Sequence, residues 1–360
     1  TASTMAITTE ALGLMIPNSA CAPAVSADRK RIAENTGKTA VKIANENLKP
    51  SIFLTEKNFL NALMVLSSIG GSTNGLVHLT AMAGRLGIKI DLGHFDKITK
   101  SLPMIVDLKP SGTGYMEDLY KAGGSQRIFY ELRDFLYLDA KSVNGTSLGE
   151  EIKNSAKWSQ NIITDKSNPV FNAGSIAVLK GSLAPNSAII KQSAATKSLL
   201  IHQGRAVVFE GLEDLANRID RDDLDVTKDD VLVLKSIGPK GGPGMPEAGL
   251  IPIPKKLARQ GVKDMVRISD GRMSGTASGT IILHVTPESY ENGPLAIVQN
   301  GDIIKLDVPN RKIDLLISEK EIAERIKKKL KKNIKRRGYN KIYMEHVTQA
   351  DKGVDFDFLI

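Results

Sequence analysis

Residues 265–285 read MVRISDGRMSGTASGTIILHV. Two short runs rich in β-branched residues, MVRIS and TIILHV, flank a loop of glycine, serine and threonine. Such runs, bounded by glycine, predict strands, because branched side chains suit a pleated surface and glycine permits the turns between them. Within the loop, Ser274 stands among Gly271, Gly275 and Gly279. Its backbone surroundings are small enough for other groups to approach. The hydroxyl is either part of a plain turn or a group offered to something outside the fold.

The same texture extends outward from about residue 170. IAVLKG, AIIKQ, RAVVFEG, VLVLKS and DIIKLDV are further β-branched runs divided by Gly, Pro and Asn. Seven strands so spaced predict a barrel-like or closed sheet rather than a doubly wound domain. EDLANRID (213–220) and PKKLARQG (254–261) supply helices between them. Upstream, residues 1–160 read as helix-rich α/β. A first helix stops near Gly13 and Pro17, and a second begins at Thr55 with Phe59, Leu60, Leu63, Met64 and Leu66 on its apolar side. In IGGSTNGLVHLTAMAGRLG (69–87) a glycine turn opens a helix with Leu76, Leu79, Ala83 and Leu86 on one face. That turn either caps the helix or holds an anion on its free N–H groups. The predicted class is therefore α/β, with an N-terminal α/β domain over 1–168. A β-barrel-like C-terminal domain with flanking helices and a helical tail follows over 169–360. The linker lies in DKSNPVFNAG (165–174).

Composition bounds the function. Apolar and charged contents of 41% and 25% fit an ordinary globular protein, and no apolar run is long enough to span a bilayer. No signal peptide is present, and a chain beginning at Thr1 is either processed or a fragment. Cys21, the sole cysteine, rules out an internal disulfide and a cluster ligated wholly by this chain's cysteines, so the expected location is cytoplasmic. The net charge of +9 owes much to KKKLKKNIKRRGYNK (327–341), which holds nine basic residues and no acidic one. Ser318 and Glu321 form a capping-box pattern, and Ile322, Ile326, Leu330 and Ile334 recur every four residues. This is an amphipathic helix with a solvated basic face. Without interleaved aromatics it gives no ground for nucleic-acid binding.

The chemistry available is limited. The histidines (His78, His94, His202, His284, His346) lack zinc-site spacing, and Ser274 lies in GRMSG rather than GxSxG. KPSGTGYMEDLYKAGG (109–124) and KGGPG (240–244) lack the ending of a Walker A loop. GPKGGPGMPEAG (238–249) carries one carboxylate, Glu247, on a Gly/Pro loop after the strand VLVLKS, as Ser274 follows MVRIS. If those strands are neighbours, carboxylate and hydroxyl can face one site. A glutamate so placed can ligate Mg²⁺, and a serine near such a cation can act as a base without histidine. Two tight turns remain the plain alternative.

VRISDGRMSGTA resembles the second signature of the dihydroxy-acid/6-phosphogluconate dehydratase family. GPKGGPGMPE, IGGSTN, SGTGYMEDLYKAGG and EHVTQADKGVDFDFL are similar to its other blocks, in order along the whole chain. TASTM, IAVLKGSLAPNSAIIK and MSGTASGTIILHVTPE resemble most the sugar-acid (arabinonate/xylonate-type) branch. Gly271, often alanine in that branch, and KPSGTGYMEDL lean toward the dihydroxy-acid branch.

The resemblance implies a hydro-lyase converting a 2,3-dihydroxy carboxylate, such as a pentonate, into a 2-keto-3-deoxy acid. The alternative substrate is the dihydroxy acid of valine and isoleucine synthesis. By position Ser274 corresponds to the C2 proton acceptor, Thr276 to an active-site threonine and Glu247 to a Mg²⁺ ligand. The implied cofactors are Mg²⁺ and an iron–sulfur cluster, expected as 2Fe–2S, and the implied assembly is a homodimer or dimer of dimers. The family's cluster cysteines, modified lysine and remaining Mg²⁺ ligands lie upstream of the TASTM block, and Cys21 matches no ligand. The expectation is thus that this chain alone holds no cluster and is inactive, which leaves a non-catalytic fragment as a reading of another class.

Overall fold

The computed structural model describes residues 1–155, 160–328 and 336–359, in two compact units, Thr1–Ser175 and Ile176–Ile360. Leu330 and Ile334 of the proposed amphipathic stripe lie outside the described residues.

The first unit is built from helices. Glu56–Ser68 begins at a capping box in which Thr55 and Asn58 bond reciprocally, and Phe59, Leu60, Leu63, Met64 and Leu66 are all buried. Its polar Asn58 and Asn61 are buried too, because each amide ties the helix to chain running past it. Asn58 Nδ2 donates to Leu12 O at 3.0 Å and to Lys141 O at 2.9 Å, and Asn61 exchanges two bonds with the Tyr137 backbone. The first helix, Ala2–Ala11, packs against it and gives way at Gly13, whose φ of +81° suits glycine. In the glycine turn before Asn74–Gly84, the Ser72 N–H is taken by Thr4 Oγ1 and the Asn74 N–H by Ser72 Oγ. That favours capping over anion binding at those two groups. The β content expected here is reduced, among the described residues, to isolated bridges such as Met104 with Phe171 and Val106 with Ile163.

The second unit contains all seven expected strands and one more. They are β1 (Ala177–Leu179), β2 (Ser187–Ile190), β3 (Ile201–Phe209), β4 (Val231–Leu234), β5 (Arg267–Ser269), β6 (Ile281–Thr286), β7 (Ile303–Asp307) and β8 (Lys312–Leu315). The sheet order is β1-β2-β6-β5-β4-β3-β7-β8, and β3 to β6 form a parallel centre. A bridge from Lys180, just past β1, to Lys312 of β8 brings the two edges together, so the sheet is nearly closed.

Alternation along the parallel strands divides their side chains between two cores. Val208, Val233, Ile268 and Ile282 face one with Ile190, Ile304 and Leu306. Val207, Phe209, Leu232 and Leu234 face the other, covered by Leu215 and Leu257 of helices Leu212–Arg218 and Lys255–Arg259. Burial on both faces is why these strands read as continuous apolar runs. Helix Glu319–Lys328 packs Ile322 and Ile326 on the first core, with Ser318 Oγ accepting from the Glu321 N–H at 3.1 Å. Arg325 on that helix is paired with Asp302 and Glu321.

Candidate active site

β4 and β5 are parallel neighbours, with Leu234 level with Ser269. The loops bearing Glu247 and Ser274 therefore leave from the C-terminal ends of adjacent strands, which is the condition for one shared site. Arg272 joins them. Its carbonyl accepts the Gly249 N–H at 2.8 Å, its Nε donates to Met245 O, and its guanidinium lies 3.9 Å from Glu247 Oε1. Two residues on, Ser274 is half-buried and its Oγ lies 3.1 Å from Thr276 Oγ1, with the Thr276 N–H reaching it at 3.5 Å.

The glycines around Ser274 have contacts of their own. A Cβ on Gly271 would stand 2.4 Å from Ile237 Cδ1 on the neighbouring loop. Gly279 adopts a φ of +120°, and a Cβ there would stand 2.0 Å from the Arg267 guanidinium. Gly279 thus needs glycine for its backbone conformation, and a Cβ at Gly271 would force Ile237 to shift.

Residues that the sequence reading passed over hold the Glu247 loop in place. The Asp270 carboxylate is wholly buried and accepts the N–H groups of Ser236, Ile237 and Ser289 at 2.9–3.2 Å. Glu288, equally buried, accepts from Lys240 and Gly241 N–H and from Gln349 Nε2. Burial raises both carboxyls above their ordinary values, against the lowering effect of those bonds. Tyr343, on helix Gly338–His346, donates to Pro239 O and accepts from the Gly244 N–H, each at 2.8 Å. None of these partners is close in sequence. The C-terminal block EHVTQADKGVDFDFL, which carries Gln349, was the available signal.

The metal donors are few. Among the described residues no three His, Cys, Asp or Glu side chains gather to hold an ion. Cys21 is buried, and burial with the nearby Glu10 charge pushes its thiol up to about 12, which disfavours the thiolate a cluster requires. Glu247 brings one carboxylate beside a guanidinium. These residues do not make up a complete cluster or Mg²⁺ site. Of the five histidines, His284 meets the Ser274 loop through its backbone, its N–H bonding Gly271 O at 3.0 Å. His346 bonds Asp357, His202 bonds Asp229 O, His78 lies in helix Asn74–Gly84, His94 in Leu92–Thr99 and His284 in β6. No helix among the described residues is long and apolar enough to cross a membrane.

Fold and loops together define a two-unit α/β protein whose barrel-like sheet presents a hydroxyl loop and a carboxylate loop at one end of its parallel strands. Residues 1–151 match the model of the dihydroxy-acid/6-phosphogluconate dehydratase N-terminal domain, and residues 161–354 match that of the C-terminal domain. The chain belongs to this dehydratase family. It is 44% identical to an L-arabinonate dehydratase of Rhizobium leguminosarum bv. trifolii, over 97% of this chain and 61% of the relative. Identity to an L-arabonate dehydratase of Azospirillum brasilense is 44%, over 98% and 62%. Identity to a dihydroxy-acid dehydratase of Methanococcoides burtonii is 39%, over 98% and 64%. The chain thus spans somewhat less than two thirds of the length of these relatives.

Proposed function

We propose that the protein carrying this chain is a hydro-lyase that converts a sugar acid, such as a pentonate, into its 2-keto-3-deoxy acid. The observation that carries the reading is the pairing of the Ser274 and Glu247 loops on adjacent parallel strands, joined through Arg272. The 44% identity to relatives named for arabinonate supports the sugar-acid branch over the 39% to a dihydroxy-acid dehydratase.

In this reading Ser274 Oγ accepts the C2 proton, and Thr276, 3.1 Å away, orients that oxygen. The C2–H bond breaks, the C3–O bond breaks with loss of water, and the resulting enol tautomerises to the ketone. Glu247 serves as one Mg²⁺ ligand. Mg²⁺ and an iron–sulfur cluster belong to the proposal by resemblance, with the remaining ligands supplied by residues other than those described here. A cytoplasmic homodimer or dimer of dimers is part of the same proposal.

The test is keto-acid formation by the anaerobically reconstituted holoenzyme with Mg²⁺, offered pentonates, hexonates and 2,3-dihydroxyisovalerate. Preference for an aldonate is the expected result. Preference for dihydroxyisovalerate moves the protein to branched-chain amino-acid synthesis, and turnover of none of them overturns the dehydratase reading.

A further inference from the structure

Lys191 follows β2 directly. Ile189 is level with Leu283 and Ile190 with Ile282. Ala188, Ile190 and Ile282 share the first core, so strand alternation turns Lys191 to the opposite face. On that face Ile281 and Leu283 cluster with Met273 and Ala277, the two residues that anchor the Ser274 loop. The chain after Lys191 stays beside the loop. Ala194 O accepts the Gly279 N–H at 3.0 Å, and the Thr196 N–H bonds Thr280 Oγ1 at 3.1 Å.

Lys191 is only 2% exposed, and among the described residues no hydrogen bond or ion pair engages its Nζ. The carboxylate joined to this segment, Asp264, is already occupied by Thr196, Thr280 and Arg267. Burial alone brings the amine down to about 8. Two residues on, Ser193 Oγ is buried and also without a partner. An ammonium without a counter-ion in a largely buried residue and a buried hydroxyl without a partner are both costly, and an anion offers each an acceptor.

We propose that Lys191 and Ser193 are substrate-binding residues of the Ser274 site and take the carboxylate of the 2,3-dihydroxy acid. The inference rests on the dehydratase reading. In that chemistry the carboxylate is bonded to C2, the carbon whose proton Ser274 removes, so the group that binds it must flank the serine loop. The carboxylate is also the only anionic group common to these acids, which matches an ammonium lacking a counter-ion.

Two measurements on the reconstituted holoenzyme test this. With the acid it turns over, Lys191→Met raises KM at least tenfold and Ser193→Ala raises it about threefold. In both, kcat changes less and the melting temperature is unchanged or higher. Separately, the wild type is acetylated with an N-hydroxysuccinimide ester and its peptides are weighed, with and without a 3-deoxypentonate, which has no 3-hydroxyl to lose. Lys191 labelling slows at least fivefold with this ligand while exposed Lys38 is unaffected. The second measurement decides the matter if Lys191→Met does not fold. Turnover with an unchanged KM in Lys191→Met, or no protection of Lys191, overturns the assignment and leaves the dehydratase reading intact. Protection without turnover of any acid supports the carboxylate site and overturns the dehydratase reading. A Lys191 that never acetylates in the free protein counts against the assignment.

Discussion

Gly271→Ala probes the contact between the two loops. The added methyl would lie 2.4 Å from Ile237 Cδ1 and 2.7 Å from its Cγ1, against about 3.5–4.0 Å for carbons in comfortable contact. Ile237 is 2% exposed and packed with Leu234, Ile251 and Met265, so it has little room to swing aside. Overpacking of this kind costs about 1–3 kcal/mol. The less flexible unfolded chain returns about 0.4–1 kcal/mol. The net expectation is a loss of about 0–2.6 kcal/mol, read as a lower urea midpoint at unchanged slope. Ile237→Ala removes both crowded atoms and alone costs about 2–5 kcal/mol. In the Gly271→Ala background it should cost less by at least about 0.5 kcal/mol. Because Asp270 holds the Ile237 N–H at 3.0 Å, displacing this contact disturbs both loops, and turnover should fall along with stability. A stabilising Gly271→Ala, or strict additivity of the two substitutions, would refute the reasoning.

Tyr343→Phe removes both hydroxyl bonds to the Glu247 loop, at about 1 kcal/mol each. Amide exchange at Gly244 should quicken about tenfold, and unchanged exchange would show the loop is held by other means. Cys21, with its thiol raised from 9.0 to about 12, should react with iodoacetamide at pH 8 about a thousandfold more slowly than a free thiol; rapid alkylation of the folded protein contradicts this. At Asp264, burial pushes the carboxyl up, but bonds from Thr196 and Thr280 and the Arg267 charge hold it below its ordinary value. A lowered carboxyl contributes stability above its unfolded pKa and loses it as pH falls through the folded one. Asp264→Asn should therefore be less stable at pH 7 but show a flatter acid branch in a denaturation series, and parallel pH curves would dismiss the assignment.

The sheet was legible where side chains report burial on both faces. VLVL and TIILHV are continuous apolar runs because helices or a second core cover each side of the parallel strands. β8 escaped because KIDL alternates buried and exposed positions over only four residues, beside charges that read as loop. Ser274 and Glu247 stood out because each lies on a Gly-rich loop after a strand, and their juxtaposition needed only that β4 and β5 be neighbours. Asp270, Glu288 and Tyr343 did not stand out. Their bonds go largely to backbone groups 33 to 104 residues away, and neither periodicity nor spacing encodes a partner that distant. Lys191 drew no notice within the run AIIKQ, since only the sheet register tells which face it takes.

Ser274, as the group proposed to take the C2 proton, is the residue to test first. The direct measurement is keto-acid formation from the preferred aldonate by the reconstituted wild type and by Ser274→Ala, with melting temperatures recorded for both. The account predicts a fall of about 10²–10⁴-fold in kcat with an unchanged melting temperature, the range typical for loss of a general base. Turnover by Ser274→Ala at the wild-type rate would contradict it.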